Sequence, residues 1–276
     1  MNSTPDLPSS LVLVGAGKMG AAMLEGWLAL GLAPAAVTVL DPNPSPELRA
    51  LAAERGFRLN PAPGDTQPPE ILVLAIKPQM LDAVGPGLAP LVGPGTLVLS
   101  ILAGKTIAGI KGALASTGAV VRAMPNLAAS IGRGATGAYA SPETSARQRA
   151  AADALLAGNG LVEWVEGEDL IDAVTAVSGS GPAYVFHLVE CLAEAGAAAG
   201  LPPDLALRLA RATVTGAGEL LFQSDLPPET LRQNVTSPGG TTAAALQVLM
   251  AEPNSLKALM REAVAAAKHR AEELAG

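Results

Sequence analysis

The sequence predicts a doubly wound α/β domain over residues 1–165, followed by an all-helical domain over residues 166–276. Two observations carry the prediction. Up to Glu166 short apolar runs alternate with segments of helical length and composition; beyond it the strand-like runs stop and helical ones continue. Leu11–Val14, Val37–Leu40, Ile71–Ile76, Leu97–Ile101 and Val120–Arg122 read as strands, since a parallel strand covered on both faces is apolar nearly throughout. Met19–Leu30, Pro46–Arg55, Gln79–Leu88 and Thr106–Ala115 lie between them as crossover helices. Gly137–Ala140 and Leu161–Val165 are placed to extend the sheet at its edge. The later helical segments are Leu170–Ser178, Pro182–Ala199, Pro203–Gln223, Pro228–Val235, Thr241–Met250 and Ser255–Leu274. Within Pro182–Ala199, Val185, Leu188, Leu192 and Ala195 share one face, and Glu190 and Glu194 another. Gly181-Pro182 and Gly200-Leu201-Pro202-Pro203 mark helix boundaries.

Composition narrows the function classes. A chain of 276 residues, 49% hydrophobic and 16% charged, is globular rather than disordered and long enough for two domains. Aromatics are only 3%, so its core is built from Ala, Leu and Val. A net charge of −7 with no basic run argues against a nucleic-acid partner. The polar start Met1-Asn2-Ser3-Thr4-Pro5-Asp6 does not read as a signal peptide, and Leu11–Val14 is far too short to span a bilayer. Cys191 is the single cysteine, which excludes an internal disulfide and fits a reducing cytoplasm. The two histidines, His187 and His269, and that cysteine lie far apart, so no metal site is expected.

Gly15-Ala16-Gly17-Lys18-Met19-Gly20 follows a predicted strand directly and opens a predicted helix. In that context Gly15 permits the tight turn, Gly17 lets backbone approach a pyrophosphate, and Gly20 lets helix and strand pack closely. N–H groups at the helix start then meet the phosphate charge. The domain is therefore Rossmann-type, with NADH or NADPH as the expected cofactor. Asp41 ends the second strand at about the 20-residue spacing from which an acidic side chain bonds the adenine ribose. Pro42-Asn43-Pro44-Ser45-Pro46 after it is neutral, so a 2′-phosphate there meets like-charge repulsion. NADH is expected to serve at least as well as NADPH. The alternative is that Asp41 merely opens the Asp-Pro-Asn turn. Lys77 lies where the third strand ends, the sheet edge at which such folds bind ligands.

A second glycine-rich turn, Val235-Thr236-Ser237-Pro238-Gly239-Gly240-Thr241-Thr242, precedes an apolar helix. Small residues before a helix leave N–H groups free to receive a carboxylate, although the same residues are ordinary caps. By composition alone the capping reading is favoured.

That stretch, however, resembles the signature of Δ1-pyrroline-5-carboxylate reductases, the enzymes that make proline, and the resemblance runs along nearly the whole chain. Val14–Met19 resembles the family's dinucleotide turn, Ala75-Ile76-Lys77-Pro78-Gln79 its AVKPQ segment, and Ser100-Ile101-Leu102-Ala103-Gly104 its S-x-x-AG turn. Asp169–Thr175 and Ser178-Gly179-Ser180-Gly181-Pro182-Ala183-Tyr184 resemble the run that opens its helical domain. Met124-Pro125-Asn126-Leu127-Ala128 departs from the family's usual Met-Pro-Asn-Thr-Pro, losing a hydroxyl at Leu127 and a stiffening proline at Ala128. Asp41 also differs from the small hydroxyl residue that phosphate-accepting members tend to carry.

The resemblance implies hydride transfer from nicotinamide to the C=N carbon of 1-pyrroline-5-carboxylate, giving L-proline. It implies that Thr242 bonds the ring nitrogen, and that Ser237, Gly240, Thr241 and Thr242 hold the carboxylate largely through backbone N–H. Asp225 is either a polar wall of that site or the cap of the Leu226-Pro227-Pro228 turn. The cofactor is expected against Val14, Gly15, Ala16, Gly17, Lys18, Met19, Asp41, Ala75, Ile76, Lys77, Pro78, Leu102, Ala103, Gly104 and Asn126. The implied assembly is a cytoplasmic homodimer joined through its helical domain, open to further association of dimers, with each site shared between subunits. A β-hydroxyacid dehydrogenase is the nearest rival, weakened because Pro182–Gln223 contains no lysine for a proton relay. A nucleotide sensor without catalysis is a second rival, against which the intact Ser237–Thr242 turn argues. His187 and His269 read as structural or surface residues.

Overall fold

A computed structural model describes residues 7–62 and 64–275; the polar start read at Met1–Asp6 lies outside them. The chain forms two compact units, one running to Gly179 and regaining the chain from Ala267, the other spanning Ser180–Ala266.

The first unit carries eight strands: β1 (Leu11–Val14), β2 (Val37–Leu40), β3 (Arg58–Leu59), β4 (Ile71–Leu74), β5 (Leu97–Ser100), β6 (Val120–Met124), β7 (Gly134–Ala140) and β8 (Gly160–Trp164). They form one sheet in the order β3-β2-β1-β4-β5-β6-β7-β8, parallel throughout except where β6 meets β7. Order reverses between β1 and β4, which creates the ligand crevice of a doubly wound fold at their carboxyl ends. Helices α1 (Lys18–Ala29), α2 (Pro46–Arg55), α3 (Leu81–Leu88), α4 (Ile107–Ala113) and α5 (Ala146–Ala157) cross between strands.

Apolar residues run unbroken along β1 because both faces are covered. Leu11 and Leu13 join a core with Met23, Leu24 and Trp27 of α1, whereas Val12 and Val14 pack with Leu81 and Ile110 on the other side. Trp27 is fully buried, its indole N–H donating to the Leu155 carbonyl at 2.8 Å. Within β6 lies an unusual core member, Arg122, only 2% exposed. Its guanidinium donates to Asp172 at 2.9 Å and to Glu168 at 3.3 Å, and Glu168 also accepts the Ile107 N–H at 2.7 Å. Breaking such a buried pair by removing one partner costs about 3–5 kcal/mol.

Three local differences from the sequence-based expectation have physical causes. The third predicted strand stops at Leu74, because Ala75 and Ile76 turn away against the Gly15 loop. The edge strand β3 has no apolar run to announce it; two residues pair with Thr38 and Val39. The predicted helix Leu170–Ser178 divides into α6 (Leu170–Val174) and a π-helical turn, Thr175–Gly179. There the Thr175 and Ser178 hydroxyls donate to the carbonyls of Ile171 and Val174, four residues back, in competition with the helix ladder.

The second unit is helical: α7 (Gly181–Ala198), α8 (Pro203–Gln223), α9 (Pro228–Asn234) and α10 (Thr241–Leu249), with α11 (Leu256–Ala275) beginning here and ending in the first unit. Small residues let α7 and α8 approach closely; a Cβ on Gly196 would lie 3.2 Å from that of Ala206. The larger apolar residues of α7, namely Val185, Phe186, Leu188 and Leu192, are exposed in the single chain. Among the described residues no helix is long and apolar enough to cross a membrane.

Candidate active site

The crevice at the carboxyl ends of β1, β2 and β4 is shaped by the glycine loop. Beyond Val14 the chain is drawn to both neighbours: the Gly15 N–H donates to the Leu40 carbonyl and the Ala75 N–H to the Val14 carbonyl, each at 2.8 Å. Gly15 has φ +87°, and a Cβ there would lie 2.8 Å from the Ala75 carbonyl oxygen, so both conformation and space require glycine. At Gly20 the limit is contact alone, since a Cβ would lie 2.4 Å from the Gly15 carbonyl. Gly17 differs. It precedes α1 with φ −64°, a Cβ on it would meet nothing within 4 Å, and no side chain caps the helix. Nothing in the protein's own packing asks for glycine there. Open space before an uncapped helix start is a receptor for an anion, and a dinucleotide pyrophosphate fits it.

Asp41 stands one residue past β2 with its carboxylate engaged. One oxygen accepts the Ala16 N–H and the other the Asn43 N–H, each at 2.8 Å. The side chain therefore opens the Asp-Pro-Asn turn and also reaches the glycine loop. Each oxygen keeps a lone pair that a ribose hydroxyl can use. Asn60, which sequence reasoning passed over, grips the backbone of Asp41 with its amide. Its only sequence signal was the Asn-Pro pair that follows Leu59.

The remaining cofactor candidates surround this crevice unevenly. Ala75 and Ile76 lie directly against Gly15, and Lys77, exposed, precedes the 3₁₀ turn begun by Pro78. Lys18 is exposed and Met19 half-buried at the start of α1. After β5 the Leu102 side chain is buried in the core, leaving backbone and Ala103 to face outward. Gly104, at φ +70°, is covered by the end of α11, where its Cβ would lie 3.0 Å from that of Leu274. Asn126 uses both ends of its amide within the protein, donating to the Ser178 carbonyl at 3.0 Å and accepting the Ala135 N–H at 3.2 Å. Next to it Leu127 is exposed and, with Lys18, Met19 and Glu25, lines a recess of about 390 Å³ beside α1.

In the second unit the Ser237–Gly240 segment closes on itself, the Gly240 N–H donating to the Ser237 carbonyl at 3.0 Å, with Gly239 at φ +70°. Gly240 leads into α10, again with no side chain capping the helix. Thr242 is half-buried, while Ser237 and Thr241 are exposed. Among the described residues none of these three hydroxyls is engaged in a hydrogen bond. A turn with spare N–H groups and spare hydroxyls can receive a carboxylate and donate to a neutral nitrogen. Asp225 is exposed after α8, and the turn beside it is closed by Ser224, whose hydroxyl accepts the Leu226 N–H at 3.2 Å.

The histidines pair with carboxylates along their own helices. His187 contacts Glu190 at 2.9 Å on the exposed side of α7, and His269 lies near Glu272 and Glu273 on α11. Among the described residues there is no cluster of His, Cys, Asp and Glu suited to a metal ion.

Residues 168–274 match the family model described as pyrroline-5-carboxylate reductase dimerisation, and residues 10–104 match one described as NADP oxidoreductase, coenzyme F420-dependent. Among curated relatives, the pyrroline-5-carboxylate reductase of Pseudomonas aeruginosa is 39% identical, with 96% of each chain covered. That of Synechocystis is also 39% identical, over 96% of this chain and 97% of its own. Among solved structures, a pyrroline-5-carboxylate reductase from Coxiella burnetii superposes with a TM-score of 0.89 at 34% identity, covering 98% of this chain and 99% of that one. The Plasmodium falciparum pyrroline carboxylate reductase, solved with NADP bound, gives a TM-score of 0.77 at 26% identity over 97% of this chain and 98% of its own.

Proposed function

The chain belongs to the pyrroline-5-carboxylate reductase family, and on that premise we propose that its two glycine turns serve opposite ends of one reduction, NAD(P)H at the first and 1-pyrroline-5-carboxylate at the second. The product is L-proline, and the reaction is the last step of its biosynthesis. The observation that carries the reading is the open space at Gly17, a glycine required by a ligand rather than by the fold.

When bound, reduced nicotinamide supplies a hydride to the C=N carbon. The chain positions, donates hydrogen bonds and excludes water. The Val14–Met19 loop holds the pyrophosphate through backbone N–H, and Asp41 takes the adenine ribose, so that NADH serves at least as well as NADPH. Ala75, Ile76, Lys77 and Pro78, the backbone of Leu102, Ala103 and Gly104, and Asn126 complete the cofactor side. Ser237, Gly240, Thr241 and Thr242 receive the substrate carboxylate, with Asp225 as a polar wall. The Thr242 hydroxyl donates to the ring nitrogen, drawing electron density from the C=N bond so that its carbon accepts hydride more readily. As hydride adds to the carbon, the ring nitrogen takes up a proton relayed from solvent through the Thr242 hydroxyl, so the step balances without a titrating side chain.

The dinucleotide part, 1–165, and the helical part, 166–276, divide these tasks, and the helical part joins two copies into a cytoplasmic homodimer open to further association. Support comes from the exposed apolar residues of α7 and from Leu207, Leu209, Leu220 and Leu221 on α8. The test is loss of reduced-nicotinamide absorbance with pyrroline-5-carboxylate, with the keto partner of a hydroxyacid, and with no substrate. Turnover only with the cyclic imine is expected; turnover only with the keto acid overturns the assignment.

A further inference from the structure

We propose that Asn60 is the positioning residue for coenzyme choice, holding Asp41 where its carboxylate accepts a ribose diol and repels a 2′-phosphate. The inference rests on the reading of Asp41 as the adenine-ribose partner. Strand β3 ends at Leu59, and the Asn60 N–H still donates to the Val39 carbonyl at 2.9 Å, so the residue is fastened to β2 rather than loose in a loop. Its φ is +48°, in the left-handed region that asparagine tolerates better than most residues with a Cβ. From that conformation the side chain adds one rung to the sheet. Its Oδ1 accepts the Asp41 N–H at 2.9 Å and its Nδ2 donates to the Asp41 carbonyl at 2.7 Å.

Both backbone polar groups of Asp41 are thus met by one amide, as a neighbouring strand would meet them. The carboxylate is pinned at the same time by the N–H groups of Ala16 and Asn43. Electrostatic selection between a diol and a phosphate works only if the charge cannot retreat, because a carboxylate free to rotate into solvent lets the phosphate in at little cost. The segment after Asp41 has no strand to hold it, and the clasp fastens its first residue to the end of the sheet. Of the arginines that follow in sequence, Arg49 and Arg58 donate to the carbonyls of Pro44 and Asp65, and Arg55 pairs with Glu54.

The test is a double-mutant cycle on kcat/KM with NADH and with NADPH, using wild type, Asn60→Gly, Asp41→Ser and both together. Glycine keeps the positive φ available and removes only the clasp. The expected result is a wild type that uses NADH at least as well, and an Asn60→Gly enzyme whose NADH-to-NADPH ratio falls by about three- to tenfold, the worth of one or two lost hydrogen bonds. In the Asp41→Ser background the same change should leave the ratio where it is, because the clasp then has no carboxylate to aim. A ratio that Asn60→Gly leaves intact, with equal losses for both coenzymes, overturns the clasp while the reading of Asp41 survives. So does a shift that persists without the Asp41 carboxylate, which would mean that Asn60 touches the coenzyme itself. A wild type that prefers NADPH overturns the reading of Asp41 and the clasp together.

Discussion

Thr242 sits in the first turn of α10, half-buried and, among the described residues, with its hydroxyl unengaged. If that hydroxyl donates to the ring nitrogen, Thr242→Ala lowers kcat/KM for pyrroline-5-carboxylate by about 1–2 kcal/mol of barrier, the worth of a single hydrogen bond. Thr242→Ser should recover most of the loss, and steady-state kinetics unchanged by the alanine would dismiss the role. The tight turn at Gly15 was legible in the sequence because a glycine between a strand and a helix has few other uses. Arg122 and Asn60 were not. A charged residue within Val-Val-Arg-Ala-Met looks like a strand end until Glu168 and Asp172 are seen to arrive from another element. An asparagine beside a proline looks like any turn until its partner is known.

At the level of elements, the three glycines of one loop answer three demands: a backbone conformation, a helix–strand contact and an open receptor. The last yields a separable prediction. Gly17→Ala should leave the thermal midpoint unchanged, since the added methyl meets nothing, yet raise KM for the coenzyme about tenfold, because the methyl holds the pyrophosphate off a backbone N–H and weakens one charge-assisted hydrogen bond. A fall in stability with coenzyme affinity intact would contradict this. Strands β1, β2, β4 and β5 were readable because burial on both faces leaves no room for polar residues. The π-helical turn at Thr175–Gly179 was not, because it arises from two hydroxyls donating to carbonyls a turn behind them, and hydropathy is blind to that. The Gly239-Gly240 turn was legible as a turn, but only its likeness to a known family gave it a ligand.

For the whole molecule, the balance of buried and exposed area is uneven. The sheet unit buries most of its large apolar residues, whereas in the helical unit, among the described residues, only Ala206, Ala210 and Ser255 are buried. Side chains such as Phe186, Leu188, Leu192 and Leu220 would face water in an isolated subunit, more than a stable monomer usually leaves open. Light scattering at micromolar concentration should therefore return twice the mass of one chain or a multiple of it, and a monomer would refute the proposed assembly. The helical periodicity announced these helices but not which of their faces a subunit would leave bare. Small residues such as Gly196 and Ala206 take the contact within the subunit and leave the larger ones outward.

Trp27, enclosed in the sheet unit, and Trp164, with the Arg149 guanidinium 4.4 Å from its ring centre, are the chain's two tryptophans. Indole emission from this protein consequently originates in one unit alone, and the helices from Ser180 to Ala266 are spectroscopically silent in that channel. Fluorescence follows the melting of the coenzyme-binding sheet, circular dichroism at helical wavelengths follows both units, and any gap between the two curves measures how tightly their unfolding is coupled.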